Sequence, residues 1–267
     1  MDRYVVMGNP IAHSKSPQIH AQFAAQTEQA IVYEHMLVPY DGFAAAAYDL
    51  IGSGAKGANV TVPFKLEAFA LATALTERAG AAGAVNTLKF GGNVILGDNT
   101  DGTGLCIDIV RNCGVALNGK RILLLGAGGA ARGALLPLLH QKPSELVLVN
   151  RSFDKAGALA KKFAGDGNIV ASEYAGLEGV FDVIINATAA SLNGEMPPLL
   201  PGLFSTETLA YDMMYGPQAT LFMQFAQQQG ATVRDGLGML IEQAAESFYV
   251  WRGVRPDTAP VFAAMRA

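Results

Sequence analysis

The sequence predicts an α/β protein made of two α/β domains, the second of them Rossmann-like, with a cleft between the two. Three observations carry this reading. Short apolar runs alternate with helical segments from end to end, the pattern of a mostly parallel sheet. The alternation falls into two series, the second opening at Ile122. Between an apolar run and a helix stands the turn Gly126-Ala127-Gly128-Gly129-Ala130-Ala131, the context in which a glycine fingerprint has meaning.

In the first series, strands are expected at Tyr4–Met7, Val32–Leu37, Ala58–Val62, Ala84–Leu88 and Val94–Leu96. Helices are expected to start at Pro17, near Phe43 and at Phe64. A junction falls near Asp101-Gly102-Thr103-Gly104. The second series runs through Ile122, Leu146–Val149, Val183–Ile185, Leu209–Tyr211 and Thr232–Val233. Pro137, inside the helix after the glycine turn, predicts a kink or an early stop.

Composition narrows the class. The 267 residues suffice for one large domain or two ordinary ones, and half are hydrophobic. A net charge of −4 gives no reason to expect nucleic acid or an anionic membrane as partner. Cys106 and Cys113 are too few for a disulfide framework and read as reduced helix residues. His13, His20, His35 and His140 show no metal-ligand spacing, so no metal is expected. The N-terminus shows no secretory signal and no apolar run is long enough for a bilayer, so a cytoplasmic protein is expected.

The glycine turn points to a dinucleotide. Gly126 makes the tight turn, Gly128 lets a pyrophosphate approach the backbone, and Ala131 takes the small position where helix meets strand. Free N–H groups at the helix start face the phosphates. The next strand ends in Asn150-Arg151 instead of the acid that holds an NAD ribose. Arg151, with Lys155 one helical turn on, favours the 2′-phosphate of NADP, although a solvated basic face at a helix start has the same composition.

Four polar clusters mark the first domain. Ser14-Lys15-Ser16-Pro17 reads equally as an N-cap, with Ser16 capping and Pro17 first in the helix, and as an anion site. Asn59 and Thr61 alternate with valines, which predicts one strand face for both. Lys65 then falls in a first helical turn, where the dipole disfavours a cation and suits a lysine to general acid–base work; a lysine reaching into solvent is the plainer alternative. Asn86-Thr87 ends another strand. Asp98-Asn99-Thr100-Asp101-Gly102 lacks EF-hand spacing and reads as an Asx turn, or with Asp101 as the carboxylate that orients the Lys65 amine.

In this order the clusters resemble the shikimate dehydrogenase family over essentially the whole chain. The resemblance is carried by Gly8–Pro17, Gly57–Lys65, Gly83–Thr87, Gly97–Gly102 and Asp235–Leu240. It implies NADPH-dependent interconversion of 3-dehydroshikimate and shikimate, with Lys65 and Asp101 as the catalytic pair. Ser14 and Ser16 would hold the substrate carboxylate, while Asn59, Thr61, Asn86, Asp101 and Gln243 would bind or line its ring hydroxyls, with Tyr215 closing one side. Gly126, Gly128, Gly129 and Ala130 would meet the pyrophosphate; Asn150, Arg151 and Lys155 the adenosine phosphate; Thr188, Met213 and Gly236 the stretch toward the nicotinamide.

The resemblance also implies that the last helix returns to the first domain. A substrate-binding, catalytic domain would then comprise 1–101 plus 237–267, and an NADP-binding domain 102–236. The partner is a small molecule, and the assembly a monomer or homodimer. Two features depart from the family's common pattern: Lys155 stands for a second arginine, and Asn186-Ala187-Thr188-Ala189-Ala190-Ser191 for Asn-Ala-Thr-Ser-Ser-Gly. The rivals are a quinate/shikimate dehydrogenase using NAD, disfavoured by Arg151, and a non-catalytic NADP sensor, disfavoured by the presence of Lys65 and Asp101.

Overall fold

The structure, a computed structural model, describes residues 1–190 and 194–266. Its chain divides into two compact units, Met1–Gly104 with Ile241–Ala267, and Leu105–Leu240.

Unit 1 begins with β1 (Asp2–Gly8), α1 (Ser16–Gln26), β2 (Ile31–Leu37), α2 (Phe43–Gly52), β3 (Gly57–Val60) and α3 (Lys65–Leu71). It continues through β4 (Ala74–Leu75), α4 (Glu77–Ala82), β5 (Thr87–Gly91), β6 (Val94–Asp98) and the start of α5 (Asp101–Ile107). Its six strands lie in the order β2-β1-β3-β5-β6-β4. The β1–β2, β1–β3 and β4–β6 pairs are parallel, whereas β5 runs antiparallel to both β3 and β6. The core between sheet and helices gathers Val5, Met7, Phe43, Val60, Phe64 and Leu88, all essentially without exposure.

Unit 2 opens where α5 passes into a π-helical turn, Asp108–Asn112. It holds β7 (Arg121–Leu125), α6 (Gly129–His140), β8 (Glu145–Val149), α7 (Phe153–Phe163), β9 (Ile169–Ser172) and β10 (Val183–Asn186). It ends with β11 (Leu209–Asp212), α8 (Leu221–Gln228), β12 (Thr232–Arg234) and the first residues of α9 (Leu237–Arg252). All six strands are parallel, in the order β12-β11-β10-β7-β8-β9. That is the doubly wound Rossmann order, with its switch point between β7 and β10. The continuous apolar runs Ile122–Leu125 and Leu146–Val149 are what strands covered on both faces require. The rest of α9 and then α10 (Ala259–Arg266) return to unit 1.

Several expectations are corrected here. The strand expected over Ala58–Val62 stops at Val60, so Asn59 and Thr61 do not share a strand face. Thr61 N–H bonds Met7 O (2.9 Å) and its carbonyl accepts from Phe64 N–H (3.0 Å), turning the chain before Pro63, which has no N–H for a ladder. The strand expected at Ala84–Leu88 lies at Thr87–Gly91, so Asn86-Thr87 opens a strand instead of ending one. Asp101 is a helix start, not an Asx turn alone. Helix α1 starts at Ser16 itself, with Lys15 at the cap position. Helix α6 does not stop early at Pro137: Leu135, Leu136, Leu138 and Leu139 are buried around it, and their packing outweighs one missing hydrogen bond. Neither cysteine forms a disulfide; Cys106 is buried in α5, while Cys113 lies just beyond the π-helical turn and not in a helix.

Candidate functional site

In unit 1 the turns after β3, before β5 and after β6 deliver polar side chains to one connected cluster. Lys65, first residue of α3, donates from Nζ to Asp101 Oδ2 at 2.6 Å. Asp101, first residue of α5, accepts on Oδ1 from Asn86 Nδ2 at 2.8 Å. Its backbone N–H is accepted by Asn99 Oδ1 (3.2 Å). The lysine side chain is 27% exposed and the aspartate 10%, so the amine is reachable from solvent while its carboxylate is fixed from behind.

Behind this pair lies a buried network. Asn86 Oδ1 accepts from Thr100 N–H (2.9 Å), and Asn86 Nδ2 lies 3.3 Å from Gln243 Oε1 on α9. Asn59 Nδ2 reaches Asn86 O (3.1 Å), Thr87 Oγ1 (3.1 Å) and Ser247 Oγ (3.0 Å), while its Oδ1 accepts from the Tyr33 hydroxyl (2.7 Å). Such a network fixes each amide in one orientation, because any flip leaves a buried group unpaired. Ser14 and Ser16 pair with each other at the start of α1: Ser14 Oγ lies 3.2 Å from Ser16 Oγ and accepts the Ser16 N–H. Thr61 packs on Gly8, where an added Cβ would fall 2.6 Å from Thr61 Cγ2.

One charged cluster adjoins the network. Arg78 on α4 grips Asp98 with a two-pronged fork, Nε to Oδ1 (2.7 Å) and Nη2 to Oδ2 (2.6 Å). Its Nη1 reaches Thr103 Oγ1 and Glu246 Oε1, each at 3.0 Å. Burial works to raise the Asp98 pKa, but hydrogen bonds and charge from Arg78, with bonds from Thr76 and Asn99 N–H, hold it below the ordinary carboxylate value. Sequence reasoning missed Arg78, Glu246, Tyr33 and Ser247, which sit in segments with no local motif.

In unit 2 the expected residues gather beyond the carboxyl ends of the strands. Gly126 follows β7 with φ +107°, and a Cβ there would meet Ala187 O at 3.1 Å, so only glycine fits. Gly128 caps α6 with no side-chain bond, and a Cβ on Gly128 or Gly129 meets nothing within 4 Å. Ala130 lies in the same first turn. After β8, Asn150 Nδ2 bonds Ser152 O (3.0 Å), and Arg151 and Lys155 are exposed.

Thr188, after β10, donates to Asn186 Oδ1 (2.7 Å). Met213, after β11, touches Gly236, after β12: a Cβ on Gly236 would fall 2.1 Å from Met213 O. Burial raises the Tyr215 pKa, which keeps its hydroxyl a donor. Of the departures, Ala189 and Ala190 follow Thr188 in the structure, and Ser191 lies outside the described residues. Among the described residues no group of three or more His, Cys, Asp or Glu is placed to hold a metal, and no helix is long and apolar enough to cross a membrane.

Comparison with known proteins matches three family models along the chain. They are the shikimate dehydrogenase substrate binding domain over residues 6–88, the shikimate/quinate 5-dehydrogenase over 108–193, and the shikimate 5′-dehydrogenase C-terminal domain over 236–266. A shikimate dehydrogenase (NADP(+)) from Herminiimonas arsenicoxydans is 66% identical over 266 residues, covering 100% of this chain and 97% of its own. Among solved structures, an Ael1 enzyme from Pseudomonas putida superposes with a TM-score of 0.94 at 48% identity, covering 99% of this chain and 98% of that one. Shikimate 5-dehydrogenase from Thermus thermophilus, in complex with NADP(H) and shikimate, gives 0.87 at 31% identity over 100% and 99% of the two chains. This chain belongs to the shikimate dehydrogenase family.

Proposed function

We propose that this protein catalyses the reversible NADPH-dependent reduction of 3-dehydroshikimate to shikimate, a step of chorismate and aromatic amino-acid biosynthesis. The observation that carries the reading is the Lys65–Asp101 pair, 2.6 Å apart and held from behind by Asn86 at 2.8 Å. The reading is supported by relatives of high identity named for this activity.

NADPH, when bound, supplies the hydride that converts the ketone to an alcohol. The turn residues fit such a group. Gly128 and Gly129 leave open space over an uncapped helix start, which suits a pyrophosphate. The exposed cations Arg151 and Lys155 suit a 2′-phosphate, with Asn150 beside them. We assign Gly126 and Ala130 to the same turn, and Thr188, Met213 and Gly236 to the nicotinamide end.

Ser14 and Ser16 hold the substrate carboxylate; Asn59, Thr61, Asn86, Gln243 and Tyr215 bind its ring hydroxyls or line their pocket. As negative charge grows on the carbonyl oxygen, Lys65 Nζ gives up a proton to it. Asp101, which bonds both Nζ and Asn86, holds the amine in line during that transfer.

The test is absorbance at 340 nm with purified protein, crossing shikimate or quinate with NADP or NAD. Reduction fast only with shikimate and NADP is expected. Comparable rates with NAD would sink the assignment of Arg151 as cofactor selector, and comparable rates with quinate the reading of Ser14 in a shikimate-selective site. Lys65→Ala is expected to lower kcat by about 10²–10⁴ while substrate still binds; turnover within tenfold of wild type would remove Lys65 from the role of acid.

A further inference from the structure

We propose that Arg78 is a positioning residue for the reaction, locking the helix start that carries Asp101 in register with the helix that carries Gln243. The proposal rests on the functional reading above, since it concerns what holds that machinery in place.

The geometry is specific to a guanidinium. Arg78 contacts both flanks of Asp101: Asp98, three residues before it, through the two-pronged fork, and Thr103, two residues after it. A relay then runs inward. Asp98 Oδ1 accepts the Asn99 N–H (2.7 Å), Asn99 Nδ2 donates to Ala84 O (3.0 Å), and Asn99 Oδ1 accepts the Asp101 N–H. The same Nη1 that reaches Thr103 also binds Glu246, three residues beyond Gln243 on α9 and so on nearly the same helix face. Glu246 Oε2 is held in turn by Arg255 Nη2 (2.6 Å).

Three segments distant in sequence thus meet at one side chain, which is 22% exposed against 2% for Asp98 and 9% for Glu246. The grip matters because Asp101 must meet Lys65 and Asn86 together, and Asn86 must meet Gln243. A displacement of about 1 Å in such a constellation costs on the order of 10² in rate. Charge alone would not secure it. A lysine neutralises the same carboxylates but cannot hold two oxygens of one and an oxygen of the other at fixed angles.

Arg78→Lys therefore separates geometry from charge. With wild type assayed alongside, kcat for shikimate oxidation is expected to fall at least tenfold and the KM for shikimate to rise several-fold. The KM for NADP should stay within twofold and the urea midpoint close to wild type. Glu246→Ala removes the arm to α9, and the Arg255 contact with it, and is expected to raise the KM for shikimate while kcat holds within threefold. Asp98→Asn, on the other arm, should lower kcat instead.

Folded Arg78→Lys enzyme with kcat and KM within twofold of wild type would overturn the proposal. So would a loss that disappears once rates are corrected for the active fraction, since that is what a merely structural role predicts. Should Arg78→Lys not fold, an unchanged shikimate KM in Glu246→Ala overturns it equally. A wild type that oxidised no shikimate would overturn the functional reading, and this proposal with it; a normal wild type beside an unaffected Arg78→Lys would sink this proposal alone.

Discussion

His20 lies without exposure under Tyr33, the two rings stacked 4.2 Å apart, with Phe23, Phe248 and Trp251 around them. Neither ring nitrogen has a partner at hydrogen-bond geometry among the described residues, and burial, opposed by a smaller upward pull from the Asn59 side chain, pushes its pKa down to about 3. The unfolded chain binds a proton there near pH 6.5 and the folded one does not, so stability falls as pH drops from 6.5 toward 3. The loss is roughly 2 kcal/mol between pH 7 and 5. Urea midpoints across that range should show it, and His20→Phe, which keeps the stack, should flatten the slope; an unchanged slope would mean the ring is protonated in the fold. Cofactor choice belongs to this scale too. Arg151→Ala is expected to raise the KM for NADP about tenfold and leave that for NAD within twofold, read from initial rates. Arg151 was legible because it follows a strand at a fixed distance from the glycines. His20 was legible only as one of four histidines without metal-ligand spacing, since a lone histidine says nothing of the rings that will enclose it.

The helix starts decide what the elements can do. Gly238, in the first turn of α9, leaves no room for a methyl group: an added Cβ would lie 2.0 Å from Asp108 Oδ1. That carboxylate is buried in the π-helical turn and accepts from the Tyr211 hydroxyl (2.6 Å) and Asn112 Nδ2 (2.8 Å), while the Tyr211 oxygen accepts the Met239 N–H (3.2 Å). Gly238→Ala must therefore push the turn away from α9, and we expect destabilisation of about 1–3 kcal/mol by urea titration. No change would mean that the turn yields freely. The stretch Asp235–Leu240 stood out in the sequence, but the reason for its second glycine did not, because Asp108 is far away along the chain. The strands of unit 2 were legible for the opposite reason: burial on both faces writes them as unbroken apolar runs. Two-residue β4, the short alanine- and glycine-rich α4 and the partly exposed β9 carry no such run, and their positions come from pairing with neighbours.

At the scale of the whole molecule, the two units should answer to different ligands. Anything that binds only the folded state stabilises it, by about 2.7 kcal/mol at a hundredfold excess over Kd. NADP is expected to slow amide exchange in the turns after β7 and β8, and shikimate in the segment from Asn86 to Asp101. The same protection pattern from both ligands would contradict this division of labour. The return of the last helix to unit 1 was legible only through family resemblance, since periodicity tells that a helix exists and not where it docks. That return sets an order on the ribosome. All six strands of unit 2 lie before Ile241, whereas Gln243, Glu246 and Ser247 are made after it. At ~5–20 residues per second, the inserted unit takes on the order of ten seconds to emerge, and throughout that interval the host unit waits with Asn59, Asn86 and Arg78 lacking their final partners. The nascent protein is thus completed from its middle outward, and the cradle for the substrate is the last part to close.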